Sequence, residues 1–142
     1  LESKKYFELI ISKFPDTDFA IDSSYKLELI NEILASKEMY IANHYMQREK
    51  WIPALNRYKF VLKNYDRSVY VEEALHRLVE IHYKIGLVEE SKKYASILGY
   101  NYQSSKWYEK SYKIFNKEYK KPTNKKNKKK SLIVEKIKQL LD

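Results

Sequence analysis

The stretch Tyr58-Lys-Phe-Val-Leu62-Lys-Asn-Tyr65-Asp-Arg-Ser68 decides how this chain is read, because its pattern recurs on both sides. Upstream, Phe7, Ile11, Phe14 and Thr17 match Tyr58, Leu62, Tyr65 and Ser68 at a constant offset of 51. Downstream, Tyr94, Leu98 and Ser104 match Tyr58, Leu62 and Ser68 at an offset of 36. An aromatic and an aliphatic residue four apart share one face of a helix. The hydroxyl that follows caps or precedes the next helix. Each copy is therefore a helix–turn–helix unit, and such units bury their apolar faces against their neighbours. The fold expected is all-α, a stack of antiparallel helical hairpins forming an α-solenoid. The downstream spacing lies close to the ~34-residue period of tetratricopeptide (TPR) repeats. The larger upstream spacing calls for one long helix.

Working outward, Pro53 fits the first turn of a helix that reaches Asn64. Before it, Ala20, Leu27, Ile30, Ile33, Leu34, Tyr40, Ile41 and Tyr45 recur near period 3.6, predicting a long helix over 18–49. A first helix over 4–14 is closed by Pro15. After the quoted stretch come helices over 71–85 and 88–98, with Gly86 at the bend and Gly99 as a cap. A last helix over 104–119 starts at Ser104. Residues 1–119 are thus the repeat region. Residues 120–130 carry seven lysines and no acid and read as a solvated, disordered linker. Residues 131–142, with Leu132, Ile133, Ile137, Leu140 and Leu141, read as a short amphipathic segment. The chain opens at Leu1 partway through a repeat and reads as a C-terminal piece of a longer protein.

Composition excludes several classes. With no cysteine there is neither a disulfide framework nor a thiolate metal site. No apolar run approaches the ~20 residues that span a bilayer. The formal net charge of +9 suggests nucleic acid, but the 120–130 run carries +7 of it and leaves the rest at +2. That run lacks the interleaved aromatics on which bases stack. No nucleic-acid role is assigned.

Catalytic patterns are missing as well. Two glycines build no phosphate cradle, and no nucleophile elbow or paired-histidine metal motif occurs. Glu73-Ala-Leu-His76 matches one Glu-x-x-His element of di-iron bundles, but no second copy exists, and it reads as a surface ion pair. His44 and His82 read as partly buried neutral histidines. No enzyme activity, cofactor or metal is expected. Fourteen tyrosines and two tryptophans point to core filling and to interfaces. Trp51 and Trp107, near helix ends, fit either role. Arg57 flanks the stripe Ala54, Tyr58, Val61, Leu62 and Tyr65. It is placed either to grip a partner carboxylate or to pair with an acid of a neighbouring helix.

Five segments resemble the BamD family, the TPR lipoproteins of the bacterial outer-membrane β-barrel assembly machine, in its alphaproteobacterial form. They are Ile11-Ser-Lys-Phe-Pro15, Lys37-Glu-Met-Tyr40, Trp51-Ile-Pro-Ala-Leu-Asn-Arg57, Glu72-Glu-Ala-Leu-His-Arg-Leu-Val-Glu80 and Leu98-Gly-Tyr-Asn-Tyr-Gln-Ser-Ser-Lys-Trp-Tyr108. Asp66 and Gln103 stand where the family usually shows proline. The resemblance implies a non-catalytic scaffold on the periplasmic face of the outer membrane. It would bind the last POTRA domain of the barrel-forming subunit BamA and a small accessory lipoprotein. Unfolded outer-membrane proteins would be its substrates, and a lipid anchor absent from this sequence would hold it to the membrane. It also implies that Arg48, Trp51, Asn56 and Arg57 contact BamA. The alternative is a TPR adaptor that binds peptides or proteins in the cytosol.

Overall fold

The computed structural model describes residues 2–117, which form six α-helices and no strand among the described residues. In chain order they are α1 (Glu2–Lys13), α2 (Asp18–Gln47), α3 (Trp51–Asn64), α4 (Val71–Lys84), α5 (Val88–Asn101) and α6 (Lys106–Phe115). Each packs against the next, and α6 also reaches back to α4. This is the TPR-like stacking the repeat pattern calls for, with α2, at 30 residues, as the long member. The linker expected over 120–130 and the amphipathic segment over 131–142 lie outside the described residues.

The turns show why the repeat exists. Phe14, Tyr65 and Tyr102 each close a helix by donating their N–H to the carbonyls of Ile10, Val61 and Leu98, at 2.9 Å in all three cases. Three residues later, Thr17, Ser68 and Ser105 donate their N–H back to Phe14, Tyr65 and Tyr102. Their hydroxyl oxygens then accept from Ala20, Tyr70 and Trp107 at 3.3, 3.2 and 3.1 Å. These contacts satisfy N–H groups that a helix start otherwise leaves without partners. The upstream offset of 51 therefore stands. The downstream one is corrected to 37, the interval from Tyr65 to Tyr102 and from Ser68 to Ser105. Buried Ala95 stands at the place in α5 that Tyr58 takes in α3, and Tyr94 lies one residue before it.

Two further expectations change with that shift. Ser105, not Ser104, caps α6, and the helix ends at Phe115 instead of continuing to 119. Gly99 caps nothing: it lies inside α5, where a Cβ would come 2.7 Å from Tyr108 Cε2. Its missing side chain lets α5 and α6 approach. Gly86 does occupy the α4–α5 bend, with φ +85, a region that side-chain-bearing residues enter at a cost.

The core lies where α2, α3 and α4 meet. Ala35, Met39 and Ala42 face Ala54, Leu55, Tyr58 and Val61, and Ala74, Leu78 and Ile81 close the third side. Alanines at these crossings bring the backbones together, and Tyr58 fills the remaining space. A second cluster of Val71, Leu75 and Leu98 joins α4 to α5 and takes in Trp107 and Tyr108 of α6. Ile33 and Tyr40 are exposed although their spacing placed them with the core stripe of α2. With Tyr25 and Leu29 they form an outward row on the same helix. No helix of the described residues is long and apolar enough to cross a membrane.

Two substitutions test this account by urea unfolding. Leu78→Ala removes a fully buried side chain from the three-helix junction and should cost about 2–5 kcal/mol. Gly86→Ala forces a Cβ into the left-handed region and should cost about 1 kcal/mol. A Gly86→Ala variant as stable as the parent would show that the bend does not need glycine.

Candidate functional site

The site begins with a buried tyrosine. Tyr58 is fully buried, and its hydroxyl donates to Asn43 Oδ1 of α2 at 2.6 Å. That bond sets the register of α3 against α2. One position earlier on α3, Arg57 Nη1 then donates to Glu38 Oε2 at 2.8 Å. The Glu38 side chain is mostly covered, whereas that of Arg57 stays 43% exposed, so the acid holds the arginine without removing it from solvent. The hydrogen bond and charge of Glu38 raise the guanidinium pKa further above its usual value. Beside it, Tyr45, Ile52, Pro53, Asn56, Arg57 and Phe60 line a groove of about 390 Å³. Ile52 and Phe60 are exposed large apolar residues in that groove. The arrangement offers an anchored cation, a free amide and an apolar floor, the components of a protein-binding hot spot.

The four residues singled out in the sequence do not all meet there. Asn56 and Arg57 share the groove. Arg48 is exposed at the end of α2, in the turn whose next residue, Glu49, has φ 57. Trp51 starts α3 but turns the other way: it packs on the core and lines a separate cleft with Met46, Arg77 and Lys84. Arg57 makes the internal ion pair, to Glu38 of the adjoining helix, and its side chain stays exposed beside that pair. Glu38 was missed as part of the site. No spacing rule links an acid on α2 to a base 19 residues later; only the fold joins them.

The Glu73/His76 element proves to be something other than a surface ion pair. Glu73 accepts from Arg77 at 3.3 Å, and Glu80 accepts from the same guanidinium at 2.8 Å. His76 is buried, with Nδ1 2.8 Å from Ser111 Oγ and its ring beside Trp107 at 5.2 Å. It locks α6 onto α4. Burial pushes its pKa down to about 4, against the opposing pull of Glu80 and with the help of Arg77 and Lys110. His82 is buried too and donates from Nδ1 to the Leu78 carbonyl at 2.7 Å. His44, by contrast, is exposed, not partly buried.

Residues 1–98 match the family described as YfiO, outer membrane lipoprotein. The chain is 48% identical over 112 residues to the outer membrane protein assembly factor BamD of Rickettsia prowazekii, a match covering 79% of this chain and 45% of that protein. It is 36% identical over 107 residues to the assembly factor of the same name from Caulobacter vibrioides, covering 75% of this chain and 35% of that one. A third such factor, from Neisseria gonorrhoeae, is 32% identical over 83 residues, covering 58% of this chain and 31% of its own length. The chain thus spans less than half the length of these curated relatives.

The His76 lock predicts a pH dependence. Between pH 6.5 and about 4 the unfolded chain takes up a proton at this histidine and the folded chain does not. Stability should be complete above pH 6.5 and fall as pH drops through that window, by on the order of 3 kcal/mol. Urea midpoints measured across that range should fall more steeply in the parent than in His76→Gln, and equal slopes would exclude the histidine as the cause.

Proposed function

The chain belongs to the outer membrane lipoprotein family YfiO, and from that premise we propose that it is a non-catalytic scaffold segment in the assembly of outer-membrane β-barrel proteins. Its place is the periplasmic face of the outer membrane, in keeping with its relatives. Its work is to hold the barrel-forming subunit BamA through the last POTRA domain, with a small accessory lipoprotein as neighbour and unfolded barrel proteins as substrates of the whole assembly. A lipid anchor outside this sequence ties the protein to the membrane. The scaffold proposed is the stack of six helices formed by the described residues 2–117.

The observation that carries the reading is the Asn56–Arg57 groove. An arginine fixed by Glu38 yet exposed beside Ile52 and Phe60 suits a carboxylate at the rim of an apolar patch. We assign the contact to Asn56 and Arg57, and extend it to the exposed Arg48 at the end of α2. Trp51 supports the contact by packing the start of α3 onto the core. A cytosolic peptide adaptor, the other reading of the sequence, is disfavoured by membership of an outer membrane family.

Titration calorimetry of the chain against the periplasmic POTRA region of its cognate BamA tests this. Binding should be micromolar or tighter, and Arg57→Glu should weaken it at least tenfold, about 1.4 kcal/mol, with unchanged helix content. Binding indifferent to the substitution would move the interface elsewhere, and no binding by a folded chain would count against the scaffold role of this segment.

A further inference from the structure

Both tryptophans of the chain stack near a cation of α4. At one end, Lys84 Nζ sits 5.2 Å from the Trp51 ring centre. At the other, Trp107 is surrounded by Arg77 at 5.6 Å, Lys106 at 5.0 Å and Lys110 at 4.3 Å. Arg77 and Lys84 are two turns apart on α4, about 10 Å along its axis. They share a cleft of about 460 Å³ with Trp51 and Glu49. Arg77 links the two ends, since it lines the cleft with Trp51 and also lies over the Trp107 ring.

The charges on this face are unequally matched. Glu73 and Glu80 are both engaged by Arg77. Among the described residues, Lys84, Lys106 and Lys110 make no ion pair, although Lys113, next along α6, pairs with Glu109 at 2.6 Å. Three exposed ammonium groups thus surround two half-buried indoles. Tryptophans are enriched at binding hot spots, and a cation over an indole adds to a contact when it is desolvated.

We infer that this face is a second docking surface, separate from the Arg57 groove, for an extended acidic segment of another protein. Carboxylates pair with Lys84, Lys106 and Lys110, while apolar side chains between them cover the indoles. The roughly 10 Å along α4 from Arg77 to Lys84 corresponds to about three extended residues. Glu49, Glu73 and Glu80 are interleaved with the bases and repel a continuous anionic surface. Discrete carboxylates on a peptide can avoid them, which favours a peptide over a lipid headgroup layer.

Both tryptophans of the chain lie beside cations of this face, so tryptophan emission reports on it, and the Arg57→Glu variant separates that signal from the groove. The probe is a synthetic hexapeptide alternating glutamate and leucine, titrated at low salt into the 142-residue protein. A saturable emission change is expected. Combined Lys84→Glu and Lys110→Glu should weaken it at least tenfold, whereas Arg57→Glu should leave it unchanged. The lysines at 120–130 remain in every variant, so their contribution cancels. If the charge-reversed pair loses helix content, Lys84→Gln with Lys110→Gln replaces it and should weaken binding severalfold. No saturable change, the same midpoint in the substituted protein, or equal binding of a glutamine-for-glutamate peptide would each overturn the proposal. So would phosphatidylglycerol vesicles that shift the emission when the peptide does not, which would assign the face to lipid.

Discussion

Everything that gives this molecule a usable surface follows from one buried hydroxyl. Tyr58 is fully buried between α2, α3 and α4, and a phenol in that position needs a partner or it destabilises the fold. Asn43 supplies it from α2. The bond fixes the rotation and height of α3 on the long helix, and with them the outward aim of Ile52, Asn56 and Phe60. It also brings Arg57 to Glu38. Neither residue of the Tyr58–Asn43 pair lines the Arg57 groove, yet both determine where that groove is.

The same logic of polar groups satisfied between helices continues down the stack. Ser91 of α5 donates to the Val79 carbonyl of α4 at 2.8 Å, in a place too tight for a larger residue. Ser111 of α6 meets His76 of α4. Ser68 and Ser105, at equivalent turns, donate to Glu32 and Glu72 of the preceding hairpins. These short side chains join one hairpin to the next where an aliphatic core would only exclude water. A solenoid propagates position from neighbour to neighbour, so directional bonds at each junction give α3 and α4 defined places and make a two-sided scaffold possible.

The sequence disclosed the helices because each turn repeats a chemical requirement: an aromatic closing one helix, then a hydroxyl opening the next. It disclosed the long α2 through the excess spacing upstream. It was less informative where two residues compete for one role. Tyr94 and Ala95, or Ser104 and Ser105, are adjacent and chemically plausible, and only packing against α4 separates them. Gly99 looked like a cap because caps are where glycine is commonest, while its real task, clearance for Tyr108, depends on a helix that periodicity does not orient. Arg57 was visible as an outward position beside an apolar stripe, whereas Asn56 came only from the family resemblance. Trp51 was not resolved by that pattern, since a residue at the start of a helix can turn to either side.

The ion pair at Arg57 bears on how such a site binds. A free surface arginine loses several rotamers when it grips a partner, which weakens the contact by about 0.5–1.5 kcal/mol. Glu38 has already restricted this one, from a side that faces the helix junction. A guanidinium has five N–H donors, and the bond to Glu38 uses one of them at Nη1. The rest of the fork remains for a second carboxylate, which can bind without displacing the first. The covered acid also offsets part of the positive charge, so the groove is left as an oriented donor array beside Ile52 and Phe60 more than as a centre of attraction. Selectivity then rests on geometry: a partner must bring an acceptor and an apolar side chain at the same spacing, and charge alone does not suffice.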